Sequence, residues 1–446
     1  MRTDGILDST FYRNRKQQYP LIEKGEGIYL YGKDGKKYID ATCGPMTVNL
    51  GHGVREIVDA MVEQARKICF AYTGSFSTDA QINLSRKVME FTPPGMSHVY
   101  FVSGGSEALE YAMEAARQYF LEKGEPGRTK MIGRWQSYHG ATFGTLSIGG
   151  HTNFRKDYDP YLMKSPHVPP PYCYRCPFDK TYPACGVFCA KYLERLIQYE
   201  GKETIAAFIS EPVSGSSMGG MTPPTEYYPI IREICDKYDI LMIVDEVITG
   251  FGRTGKNFGV DHWQVIPDII VTAKGMSSGY SPLGAVIIHE KLYEMFAGSR
   301  QASFFTGYTY AGNALSCAVG LAVLEYIQRN DLVKQVARMS EYMFGEFDRL
   351  NRLPMVGDIR GLGLLLGIEL VKDKKNRTPF DASMNVAGEV EKRAFDRGLV
   401  VRAGHGFINA VDGDLVIIAP PFSVTEDEIA EILDILESVI CDVCGH

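Results

Sequence analysis

Five short apolar runs through the middle of the chain constrain its fold more than any other feature. They occupy residues 98–102, 205–209, 240–244, 269–272 and 285–288, with stretches of helical periodicity between them. A brief β-branched run bounded by turn-forming or charged residues reads as a strand buried on both faces. Strands alternating with helices from about Thr78 to Arg329 predict an α/β fold with a mainly parallel sheet covered by helices. In such a sheet, ligands gather at the carboxyl ends of the strands. The residues that end the runs therefore carry the functional reading.

Outside this core, Gly27–Tyr31 and Lys37–Asp40 flank the Asp34-Gly35 turn and predict a β-hairpin. Residues 54–70 predict an amphipathic helix with Ile57, Val58, Met61, Ala65 and Ile68 as its apolar positions. After Asn330 come a helix, a strand-rich stretch at 363–370, a second helix and a strand at 414–419. A closing helix opens at the cap-like Thr425-Glu-Asp-Glu428. A length of 446 residues exceeds one ordinary domain. The expected division is a large domain at 76–330 and a small α+β domain assembled from 1–75 and 331–446.

A net charge of −7 argues against nucleic acid as a partner, because phosphate neutralisation needs a concentrated basic surface. No window approaches eighteen uncharged apolar residues, so no membrane-spanning helix is expected. The first eight residues are polar and carry acids, unlike a secretory signal. That points to the cytoplasm, where the ten cysteines would be mostly thiols.

Two strand ends carry complementary chemistry. Asp245 ends the run at 240–244, and Lys274 follows the run at 269–272. An acid and a lysine so placed suit a pyridine-aldehyde cofactor: the amine condenses with the aldehyde, and the carboxylate keeps the ring nitrogen protonated. A salt bridge from Asp245 to Arg253 and a surface lysine are the bland alternatives. Gly105 and Ser106 open a helix after the run at 98–102, where backbone N–H groups favour a phosphate. The competing reading is a plain turn with Ser103 as N-cap. Tyr138 offers a stacking face and His139 stands beside it; both could equally be core residues at a turn. Glu211 ends the run at 205–209, either to meet the cofactor's phenolic side or as a solvated acid.

Taken as an ordered set, these segments resemble the class III (ω-amino acid, subgroup II) aminotransferases of pyridoxal phosphate fold type I. The most specific pieces are Val244-Asp-Glu-Val-Ile-Thr-Gly-Phe-Gly-Arg-Thr-Gly255, Thr272-Ala-Lys-Gly275 and Thr306-Gly-Tyr-Thr-Tyr-Ala-Gly-Asn313. The likeness runs from the hairpin near Tyr29 to the final helix. It implies pyridoxal 5'-phosphate held by Gly105 and Ser106, with Tyr138 and Val247 on the two ring faces. Glu211 would lie near the phenolic oxygen, Asp245 on the ring nitrogen, and Lys274 would be the reacting amine. Thr309 would reach the cofactor of a second subunit, making a homodimer with shared sites. Arg402 matches the arginine that grips a substrate carboxylate, as its planar fork allows.

Two departures bear on the substrate. Met46 precedes Thr47-Val48-Asn49 where relatives often carry an aromatic residue, and Ser214-Gly-Ser-Ser217 stands where many carry an acid. Met46 therefore implies a softer pocket wall, and Arg402 is left without that acid. Tyr19 and Tyr72 are expected at the entrance. Cys173, Cys176, Cys185 and Cys189 form a separate signal, either a zinc or iron–sulfur site or a Pro- and Tyr-rich loop at the active-site mouth. The terminal Cys441-Asp-Val-Cys444-Gly-His446 lacks a second ligand pair.

The resulting expectation is transfer of an amino group from an ω- or β-amino donor to pyruvate or 2-oxoglutarate. An aminomutase, epimerase or decarboxylating relative is the alternative within the fold. A metal-stabilised binding protein is the non-catalytic one.

Overall fold

The computed structural model describes residues 9–14, 17–298, 304 and 306–445. The polar stretch 1–8 and His446 lie outside them. In chain order the strands begin with β1 (Ile22–Glu26), β2 (Tyr29–Gly32), β3 (Lys37–Asp40), β4 (Met96–Val102) and β5 (Lys130–Arg134). Next come β6 (His167–Val168), β7 (Ile205–Ser210), β8 (Leu241–Asp245), β9 (Ile269–Thr272) and β10 (Gly284–His289). The last are β11 (Val356–Gly361), β12 (Leu366–Leu370), β13 (Leu399–Val400), β14 (Arg402–His405) and β15 (Asp414–Ile418).

The central sheet has seven strands in the order β4-β10-β9-β8-β7-β5-β6. Only β10 runs antiparallel to its neighbours; the rest share one direction. All five expected runs form its strands. β5 and β6 carry a weaker apolar signal and are additions to that expectation. Every residue of β7, β8 and β9 is buried, as strands covered on both faces require.

A second sheet pairs β1, β2 and β3 antiparallel and adds β13 beside β3 in parallel. A third, antiparallel sheet runs β11-β12-β15-β14. The closing helix, Glu426–Cys444, starts from a reciprocal cap in which Thr425 accepts from the Glu428 N–H and Glu428 accepts from that of Thr425.

The helix expected at 54–70 is Arg55–Lys67, and its apolar positions split between two faces. Ile57 is buried, whereas Val58, Val62 and Ile68 are exposed. With Phe70, Tyr72 and Phe76 they leave apolar surface uncovered on this chain.

Ile243 sits at the centre of β8 with no exposed surface. Ile243→Ala should cost about 2–5 kcal/mol, the range for truncating a buried aliphatic side chain. Denaturant unfolding of the cofactor-free protein is the measurement; a loss under about 1 kcal/mol would show that the site can collapse around the missing atoms.

Candidate active site

Because β4, β5, β7, β8 and β9 are parallel, their carboxyl ends open on one edge of the sheet. A cavity of about 150 Å³ lies there, lined by Gly105, Ser106, Tyr138 and His139 from the segments after β4 and β5. Glu211, Asp245, Val247 and Lys274 complete it from the ends of β7, β8 and β9. That volume is on the scale of one aromatic ring, and its lining mixes ionisable groups with apolar ones. Eight residues singled out separately along the chain thus meet in one space.

Asp245 is 4 % exposed, and its Oδ2 lies 2.7 Å from His139 Nδ1. Its Oδ1 accepts from the Val247 N–H at 3.0 Å. The His139–Asp245 hydrogen bond and the carboxylates of Glu211 and Asp245 outweigh burial and raise the imidazole's pKa. The other imidazole nitrogen, Nε2, is buried and unpaired among the described residues. Arg253 is not the partner of Asp245: its guanidinium bonds to Leu364, Pro420, Asn49 and Cys43 instead. Asp245 therefore remains available to a cationic ring nitrogen. Glu246 points away and pins the following loop by accepting from the Gly259 and Val260 N–H groups, both at 2.8 Å.

Glu211 is not a solvated acid. It is 7 % exposed and pairs with Arg134 Nη2 at 3.0 Å, and it also accepts from the Tyr138 N–H at 3.2 Å. Burial alone would raise its pKa, but the charges of His139 and Arg134 reverse this and hold the carboxyl below its usual range. Sequence reasoning missed Arg134. Its one available signal was a position at the carboxyl end of an apolar strand, which charge pairing alone did not distinguish.

Lys274 stands in a tight turn with φ +42°, a backbone region unfavourable for a side-chain-bearing residue. Burial lowers its amine to about 8, with Arg402 and Arg253 adding to the effect and Asp245 and Glu211 opposing it. The neutral, nucleophilic amine that imine chemistry needs is thus reached near pH 8 rather than above about 10.

The helix Gly105–Glu122 directs its N-terminus at the cavity, and its N-cap position is Gly104, not Ser103, with no side-chain cap. Glu107 instead reaches back to accept from the Ser103 N–H at 2.8 Å. A Cβ on Gly105 would approach both Val247 methyl groups at 3.1 Å, so glycine keeps this approach open. The site fits pyridoxal phosphate on its own features: an open helix N-terminus, a buried carboxylate with no arginine or lysine ion-paired to it among the described residues, and a lysine amine whose affinity for a proton is lowered.

Other expected residues lie elsewhere. Met46 is fully buried in the core with φ +57° and does not line the cavity, because the kinked turn Cys43–Met46 directs it inward. Tyr19 is 39 % exposed and stacks on Tyr12 at 4.6 Å. Thr309 is exposed on this chain. Arg402 begins β14, is partly buried, and acts on Lys274 through space. Cys173, Cys176, Cys185 and Cys189 are free thiols around a separate cavity of about 20 Å³. Among the described residues no group of three or more potential ligands is arranged to hold a metal. The cysteine loop does not line the strand-end cavity; Cys173 and Cys176 border a distinct depression of about 980 Å³ with Trp135 and Phe407.

Among the described residues no helix is long and apolar enough to cross a membrane. A model of the family "Aminotransferase class-III" matches residues 10–440. The putrescine–pyruvate aminotransferase of Pseudomonas aeruginosa is 36% identical over 93% of this chain and 88% of its own. The diaminobutyrate–2-oxoglutarate transaminase of Halomonas elongata shows the same identity and coverage, 36%, 93% and 88%. Among solved structures, a thermostable (S)-enantioselective ω-transaminase from Thermomicrobium roseum superposes with a TM-score of 0.91 at 35% identity, covering 98% of this chain and 96% of that one.

A lysine whose pKa is lowered binds fewer protons folded than unfolded between about 8 and its free value of about 10.4. Its contribution to stability therefore rises with pH across that window and is absent below it. In the ligand-free protein, acetylation of Lys274 followed by peptide mass should rise with a midpoint near pH 8. Asp245→Asn removes a charge that favours the ammonium, so the midpoint should move down; an upward move would contradict the electrostatics described.

Proposed function

The chain belongs to the class-III aminotransferases, pyridoxal phosphate enzymes of fold type I, and from that premise we propose that it moves a terminal or β-amino group onto pyruvate or 2-oxoglutarate. One observation carries this reading: Lys274 and Asp245 meet in one cavity at adjacent strand ends, the amine lowered to about 8 and the carboxylate held by His139, with no arginine or lysine ion-paired to it among the described residues. Two relatives are named for a diamine and a diamino acid as donors, with pyruvate and 2-oxoglutarate as acceptors. Their names support amino groups distant from a carboxylate as donors.

Pyridoxal phosphate, when bound, supplies the electron sink and carries the amino group between donor and acceptor. Gly105 and Ser106 would hold its phosphate, Tyr138 and Val247 its two ring faces, and Asp245 its ring nitrogen. Glu211, kept anionic by Arg134, would face the phenolic side as an acceptor. His139 fixes Asp245 through Nδ1, and the two nearby carboxylates favour its protonated form against burial. Lys274 Nζ, in its neutral form, would take the proton from the carbon bearing the amino group and deliver it to the cofactor's former aldehyde carbon, so that the amino group stays with the cofactor when the carbonyl product leaves. Arg402 forms no ion pair among the described residues and would pair with the carboxylate of the 2-oxo acid through its fork.

The active unit in this reading is a homodimer in the cytoplasm. Thr309 and Tyr310 are exposed on this chain, and apolar Phe70, Tyr72 and Phe76 are uncovered. A second copy would cover that surface and bring Thr309 to the neighbouring phosphate.

Borohydride reduction of the holoenzyme followed by peptide mass analysis should label Lys274; an unlabelled Lys274 would overturn the reading. Donor added alone should convert the cofactor stoichiometrically to its amine form and release a carbonyl product. An unchanged absorbance with racemised or rearranged donor would assign a mutase or epimerase instead. Lys274→Ala should lower kcat by roughly 10³-fold or more, as loss of the reacting amine requires. Arg402→Leu should raise KM for the 2-oxo acid by about 10–100-fold, the scale of one charge-assisted pair. Steady-state kinetics with a donor lacking a carboxylate should leave that donor's KM nearly unmoved.

A further inference from the structure

Arg253 lies in the turns that follow β8, has no exposed surface, and holds together three distant parts of the chain. Its Nη1 donates to the carbonyls of Leu364 at 3.0 Å and Pro420 at 2.6 Å. Its Nη2 donates to Asn49 Oδ1 at 2.5 Å and to Cys43 Sγ at 3.6 Å. The guanidinium also lies 4.8 Å from the centre of the Phe422 ring. Among the described residues none of these partners is a carboxylate, and Nε has no partner. The nearby Asp40 carboxylate lies 3.2 Å from His52 Nε2 instead.

A buried cation hydrogen-bonded to neutral acceptors is costly even with the Asp40 carboxylate acting on it through space, and a neutral side chain could fill the space without that cost. The charge therefore calls for a use. Asn49, fixed by Arg253, has no exposed surface and packs against Gly275, where a Cβ would run into Asn49 Nδ2. Gly275 immediately follows Lys274, whose φ of +42° needs its surroundings to hold it.

We propose that Arg253 is a positioning residue for the transfer reaction: it wedges Asn49 against the Lys274-Gly275 turn, and its buried charge, one side chain away from that turn, works against the ammonium form of Lys274. This rests on the reading that Lys274 is the reacting amine. The charged groups that face that amine are Asp245 and Glu211, which favour the ammonium, and Arg402 and Arg253, which oppose it; burial adds to the cations. Removing Arg253 leaves Arg402 to oppose the ammonium. Arg253 touches no reacting atom and acts through Asn49 and through its field.

The test uses Arg253→Met and Arg253→Lys, with acetylation of Lys274 in the cofactor-free protein read against pH by peptide mass. Arg253→Met should shift the midpoint upward by about one unit, the scale of one partly screened charge. Arg253→Lys should restore it to the wild-type value. Both variants lose the two-armed fork, so both should speed hydrogen exchange in the peptide spanning the 274–278 turn. A Met variant that titrates like wild type would overturn the electrostatic role, and unchanged exchange in both would overturn the wedge. If the Met variant does not fold, the Lys variant decides: its midpoint must stay at the wild-type value, and an upward shift sinks the proposal. Neither readout needs cofactor, so a failed borohydride trap would reject the reading of Lys274 without deciding the effect of Arg253.

Discussion

Parallel strand direction is the constraint on which the rest of this structure depends. β4, β5, β7, β8 and β9 end on one edge, so residues far apart in the chain arrive at a common cavity without long loops to carry them. Packing enforces the arrangement. β7, β8 and β9 are buried along their whole length, and moving any one of them would uncover apolar surface on both faces. The chemistry is thus fixed by the same burial that stabilises the sheet.

The cavity gathers charges that would be unfavourable singly. Asp245 is compensated by His139, and Glu211 by Arg134, in two buried pairs whose partners come from different strand ends. Lys274 has no such partner among the described residues and loses much of its affinity for a proton. Acid and amine therefore sit close together without collapsing into an ordinary salt bridge.

Much of this was legible from the residues. The five apolar runs became strands, and Gly105, Ser106, Tyr138, His139, Glu211, Asp245, Val247 and Lys274 became neighbours. Period-two and helical patterns report burial, and burial decides which segments become strands. Less legible were contacts depending on side chains from unrelated segments. Nothing local to Arg134 announces Glu211 as its partner, and nothing local to Arg253 shows that it serves Asn49 rather than Asp245. Met46 stood beside Asn49 in the chain, yet a positive-φ turn sent it into the core. Val58 and Ile68 looked like a core face because helical periodicity marks apolar positions without saying what covers them.

By itself the sequence determined the alternation of strands and helices, and with it the parallel sheet, the strand-end cavity and the ionisable residues that line it. These follow from local pattern and from the direction that crossover connections impose. Tertiary structure alone decided which charges pair, which remain uncompensated, and how the cysteine loop stands apart from the cavity. Pairing energies depend on distance and burial in three dimensions, and neither is encoded in the spacing of residues along the chain.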